Sequence, residues 1–168
     1  MTLAAGLTGP DDPLGTLRRL RTRQAAILAS VAVVSIAVGA MMFLIDGRAK
    51  PFWNGVAWQF VTWGAIDAVF AGTGLLYSYR VTGRPPCPQA EADEFAAAEK
   101  LLRSLHFNEK LNWLWLATGV ALLVWAAVAH SLSLAGHGAG VVIQGGFLFL
   151  FDRVFTARFE KLLYTSVK

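Results

Sequence analysis

Apolar residues gather along this chain into four long runs separated by short polar clusters. The first covers about 24–45 and meets no charge until Asp46; the second, about 52–79, contains one charged residue, Asp67. The third, about 111–129, has none, and the fourth, about 138–159, is interrupted near its end by Asp152, Arg153 and Arg158. About 20 helical residues cross ~30 Å of hydrocarbon, so each run is long enough to span. Inside lipid, backbone groups are satisfied only in helices or closed barrels, and these runs lack the strict alternation of barrel strands. The pattern predicts an all-α, polytopic four-helix membrane bundle spanning residues 17–168, preceded by a loose tail over 1–16.

The polar segments refine this picture. A breaker cluster, Gly83-Arg84-Pro85-Pro86-Cys87-Pro88, ends the second run. Phe95, Ala98, Leu101, Leu102 and Leu105 then recur at three- and four-residue spacing among Glu94, Glu99, Lys100 and Arg103, which predicts an amphipathic helix over about 89–108. It either lies on the inner membrane face, docks another protein, or runs straight into the third span. The absence of Pro and Gly from Phe95 to Asn112 favours the continuous helix.

Composition supports membrane residence: 55% of residues are hydrophobic and 15% charged, where an average soluble domain carries about a quarter charged. The sequence pI near 9.6 does not indicate nucleic-acid binding, because Lys and Arg stand at the ends of apolar runs. Arg18, Arg19, Arg21 and Arg23 precede the first span; Arg80, Arg84, Lys100, Arg103 and Lys110 lie between the second and third; Arg158, Lys161 and Lys168 end the chain. The other side carries Arg48 and Lys50. The positive-inside rule then predicts both termini in the cytoplasm and residence in the cell inner (plasma) membrane. A cleavable signal peptide is the rival reading of the first run, but its 22 residues exceed the usual ~7–15-residue apolar region. Cys87 is the sole cysteine, so no intrachain disulfide forms.

A shift of 85 residues aligns Gly55-Val56-x-x-Gln59 with Gly140-Val141-x-x-Gln144, Asp67 with Asp152, and Tyr79 with Tyr164. This register suggests two copies of one helical hairpin, inserted in the same direction and related by an axis along the membrane normal.

Candidate chemistry centres on the two acids. Asp67 falls ~20 Å from each end of its helix at 1.5 Å per residue, near the bilayer midplane. An ionisable group there costs at least ~2.5 kcal/mol, so it is paired, protonated or faces a polar cavity. Arg153 is its candidate partner, in a purely structural bridge, unless it snorkels to the interface instead. Gln59 and Gln144 precede their acids by eight residues, and either line one crevice with them or bond helix to helix. Asn112, with Asn108 one turn before it, is placed to close the inner end of such a crevice. The candidate ligand-binding set is therefore Gln59, Asp67, Asn112, Gln144, Asp152 and Arg153. Trp58 and Trp63 either wall an apolar ligand pocket or, as the favoured reading, face lipid or serve packing. His130 and His137, seven residues apart without a carboxylate, are weak evidence for a metal site, and no histidine lies well enough inside a helix to hold haem. No metal or other cofactor is expected.

Zinc-protease, P-loop and nucleophile-elbow signatures are all missing from the sequence, so an enzyme is the less favoured reading. The patterns Trp-Gly-Ala-Ile-Asp-Ala (63–68) and Gly-Val-Val-Ile-Gln-Gly (140–145) resemble small bacterial four-helix integral membrane proteins classed as a domain of unknown function. That resemblance implies the bundle and no activity. Three readings follow: binding or permeation of a small polar ligand, cation or proton between the two repeats; a structural or accessory subunit of a membrane complex; or a membrane-embedded enzyme acting on a lipid-like substrate. The expected partners are the bilayer and either a second copy or a membrane-complex subunit, with no nucleic acid.

Overall fold

The computed structural model describes residues 13–45, 50–82 and 87–165. The sequence expectations that rest on residues 1–12, Asp46, Arg48, the 83–86 part of the breaker cluster and Lys168 lie outside them. Four helices account for almost everything described: α1 (Pro13–Ile45), α2 (Pro51–Thr82), α3 (Pro88–Val128) and α4 (Leu132–Thr165). All four are long and apolar enough to cross a membrane.

Three of the helices begin on proline, whose missing N–H is no loss in a first turn and whose fixed φ suits it. Cys87, the residue before Pro88, is extended (φ −144°, ψ 154°), as a following proline demands. The α3–α4 connection takes only Ala129, His130 and Ser131. His130 adopts a left-handed φ of 50°, and the Ser131 N–H returns to the Ala126 carbonyl at 3.0 Å. The Ser131 hydroxyl then accepts the Leu134 N–H at 3.3 Å and caps α4.

The helices exceed the apolar runs because their ends are charged but still helical. The expected amphipathic helix is the first half of α3, continuous with the third span, which makes one helix of 41 residues, about 60 Å at 1.5 Å per residue. Its apolar face does not lie free. Ala98, Leu102 and Leu105 are buried with Leu17 of α1 and Phe151, Phe155, Phe159 and Leu163 of α4. This cluster ties together the end of the bundle that carries most of the Lys and Arg, called here the basic end. The fourth helix starts earlier than its apolar run, at Leu132, because Gly136 serves close packing instead of ending a helix. A Cβ on Gly136 would stand 1.9 Å from the Phe52 carbonyl oxygen.

α1 pairs with α2 and α3 with α4 as hairpins, and the hairpins join through α2 and α4, while α1 touches α3 and α4 only slightly. Glycines set the spacing: Gly39 and Gly64 in the first hairpin, Gly119 and Gly138 in the second, Gly55, Gly136 and Gly140 between them. α2 and α3 make no backbone approach to each other. The polarity is inverted relative to a water-soluble bundle. Val33, Val69, Val124 and Leu150 are more than half exposed on the outside, while Ser35, Asp67, Asn112, Gln144 and Asp152 are buried. An exterior this apolar is matched by lipid.

Candidate functional site

The gap left between α2 and α3 is a cavity of about 740 Å³. α2 supplies one wall with Gln59, Trp63, Asp67 and Tyr77; α3 supplies the other with Leu101, Asn108, Asn112 and Trp115. Leu148, Phe151 and Asp152 of α4 and Gln24, Ala25 and Leu28 of α1 form the floor. From Gln59 to Tyr77 the cavity follows α2 for about 27 Å at 1.5 Å per residue.

Each acid sits differently in it. Asp152 is 5% exposed, and Oδ2 accepts a 2.8 Å hydrogen bond from Asn112 Nδ2 across the α3–α4 hairpin. Asp67 is 3% exposed, and its Oδ2 has no hydrogen-bond partner among the described residues. The expected bridge to Arg153 is not made. Arg153 is exposed on the outer face of α4, with its guanidinium carbon 5.9 Å from the centre of the Phe149 ring, and lies outside the cavity lining. Its position one residue after Asp152 turns it ~100° around the helix, away from the crevice that Asp152 faces.

The two glutamines part company. Gln59 lines the cavity, where its Nε2 lies 3.0 Å from His137 Nδ1 and its Oε1 accepts the Trp63 indole N–H at 3.2 Å. Trp63 in turn meets Trp115 edge to face, centroids 5.1 Å apart. This chain of contacts closes the cavity at the end away from the basic residues. Gln144 is buried elsewhere and donates to the Ser35 hydroxyl at 3.3 Å, joining α4 to α1. It is helix-to-helix bonding, the alternative raised for both residues.

Of the expected set, Gln59, Asp67, Asn112 and Asp152 therefore share one cavity, and Gln144 and Arg153 do not. Trp63 walls it, whereas Trp58 is exposed and packs on Phe43 at 5.2 Å. His106, close to Asn108 in sequence, points elsewhere, with Nε2 3.2 Å from Glu160 Oε1. His137 is the partner that sequence reasoning set aside: it was weighed only as a metal ligand, and it serves instead to hold Gln59. Among the described residues no group of His, Cys, Asp and Glu is arranged to hold a metal ion.

At the basic end the cavity opens beside Arg21, whose guanidinium lies over the Tyr77 ring, 3.7 Å from its centroid. Next to it Arg18 grips Glu94 with both guanidinium arms, Nε donating to Oε2 at 2.7 Å and Nη2 to Oε1. These contacts fasten the start of α1 to the ends of α2 and α3.

A cavity holding two buried carboxyl groups, inside a bundle of four apolar helices each long enough to cross a membrane, defines a multi-pass membrane class of protein. The chain belongs to the family of unknown function DUF6992, whose model matches residues 27–153. That span takes in every candidate site residue. No curated protein and no solved structure matches the chain.

Proposed function

We propose that this protein binds, and through binding passes or senses, a cation or proton at Asp67, in the cavity between its two hairpins. The observation that carries the reading is the state of Asp67: buried, unpartnered among the described residues and facing a cavity wide enough to admit a ligand. A carboxylate in such a place is tolerated when it is protonated or when a cation comes to it. Asp152, held by Asn112 in the same cavity, adds a second negative group. The two hairpins act as duplicated halves, and the basic end faces the cytoplasm of a plasma membrane, with both termini on that side.

The accessory-subunit reading rested on two features, an Asp67–Arg153 bridge and a free amphipathic face. Arg153 lies outside the cavity, and the amphipathic face is covered by α1 and α4. Cation or proton binding is the better supported of the two.

The test is a calorimetric and potentiometric titration of purified protein in detergent with Na⁺, K⁺ and acid, comparing wild type with Asp67→Asn. Loss of a binding or protonation step in the variant, with its helical circular dichroism intact, is the expected result. Superimposable titrations of the two proteins would overturn the assignment.

A further inference from the structure

Deepening the proposed function and resting on it, we propose that the ligand of the cavity is an organic cation with an apolar or aromatic body, which reaches Asp67 from the bilayer between α2 and α3. Three observations converge on that class.

The first is size. A cavity of about 740 Å³ lies in the range of sites for drug-sized molecules, ~300–1,000 Å³. A bare inorganic cation fills a small part of it and leaves room for on the order of twenty waters at ~30 Å³ each. Much of that water would lie against Leu28, Leu105, Leu111, Leu148 and Phe151, which offer no hydrogen bonds and make up, with the other apolar residues, most of the lining.

The second is the lining. Trp63, Phe70, Tyr77, Trp115 and Phe151 line the same cavity as the acids. Aromatic faces attract cations, most strongly where water is excluded, and they also suit an apolar body. The molecule already uses this chemistry at its own mouth, where the Arg21 guanidinium lies 3.7 Å from the Tyr77 centroid. An unpartnered carboxyl group in one cavity with aromatic rings is the complement of an ammonium or phosphonium centre.

The third is the route. α2 and α3 make no backbone contact, and cavity-lining residues on both sides of the gap are exposed: Ile66, Phe70 and Thr73 on α2, Ser104 and Trp115 on α3. The opening therefore faces outward from the bundle, over the level of Asp67. At the basic end, Arg21 repels a hydrated cation approaching from water. An amphiphilic cation dissolved in the bilayer avoids that charge.

The experiment is equilibrium dialysis of tetraphenylphosphonium against the full-length protein in detergent micelles, with protein-free micelles as background. Tetraphenylborate, of the same shape and opposite charge, is the control. We expect saturable binding of the phosphonium and none of the borate. Asp67→Asn and, independently, Trp115→Leu weaken it by about ten-fold or more, the scale of a lost charge or cation–π contact in a dry site. Trp58→Leu, outside the cavity on Phe43, leaves it unchanged. Equal binding of borate, or phosphonium binding indifferent to both cavity variants, would overturn the inference. So would absence of phosphonium binding while Na⁺, K⁺ or proton binding still depends on Asp67, an outcome that leaves the proposed function standing. Failure of every cation and of the proton would remove both.

Discussion

Asn112 and Asp152 face each other across the second hairpin and share a 2.8 Å hydrogen bond, a service that no described residue performs for Asp67. The same cavity thus holds one carboxyl group built into the fold and one held in reserve. Stability separates them. Asn112→Leu keeps the branched outline of the side chain but strips Asp152 of its donor, and a buried acceptor left unsatisfied costs about 1–3 kcal/mol. Asp67→Asn removes a charge that nothing in the described structure compensates, so it is neutral or stabilising. Thermal unfolding in one detergent, followed by circular dichroism, checks both: a lower midpoint for Asn112→Leu and an equal or higher one for Asp67→Asn.

The glycines divide just as sharply. A Cβ on Gly136 meets the Phe52 carbonyl oxygen at 1.9 Å, and one on Gly55 meets the Ser133 carbonyl oxygen at 2.4 Å. Both obstacles are backbone, so relief requires α2 and α4 to move apart. Gly72 and Gly146 have open space where a Cβ would go. Gly136→Ala is expected to cost about 1–3 kcal/mol by overpacking, and Gly146→Ala to be neutral or to stabilise by up to ~1 kcal/mol through helix propensity. The difference in unfolding midpoint between these two alanine variants is the measurement.

These packing details explain which parts of the molecule were legible in its sequence. The spans were, because ~20 apolar residues in a row have one stable outcome in lipid. The continuous α3 was, because nothing between Phe95 and Asn112 breaks a helix. The start of α4 was not: the fourth run begins at about 138, yet the helix begins at Leu132, with Gly136 packed on the Phe52 backbone. Gln59 and Gln144 occupy matching places in the 85-residue register, yet one lines the cavity and the other bonds to Ser35. Gln59 of α2 finds His137 on α4, whereas Gln144 of α4 finds Ser35 on α1, and which helix a glutamine meets is set by packing that a sequence alignment does not contain. Arg153 escaped for a similar reason, since its reach toward Asp67 depends on the rotation of α4, which no local pattern states.

Arg18 and Glu94 form the tie between the start of α1 and the first half of α3, with Glu94 almost fully covered and Arg18 about a third exposed. A bidentate pair of this kind exceeds an ordinary surface ion pair, but solvent at Arg18 limits it. A double-mutant cycle with Arg18→Ala and Glu94→Ala is expected to return a coupling of about 1 kcal/mol, favourable, and smaller at high salt. Additive destabilisation by the two substitutions would show that the tie contributes packing alone.

Cys87 makes the orientation of the whole bundle measurable without engineering. It is the sole cysteine of the chain, it is exposed, and it caps the start of α3 at the basic end. The tally of Lys and Arg predicts that end in the cytoplasm. A membrane-impermeant maleimide should therefore leave Cys87 unmodified in intact cells or right-side-out vesicles and label it in inverted ones. The start of α1 and the end of α4 lie at the same end of the bundle, packed with the first half of α3 through Leu17 and Leu163. One labelling pattern thus fixes the side of both helix ends. Labelling from outside would reverse the topology, place Arg21 and the basic mouth of the cavity on the external face, and show that the arginines of this chain serve the cavity instead of its insertion.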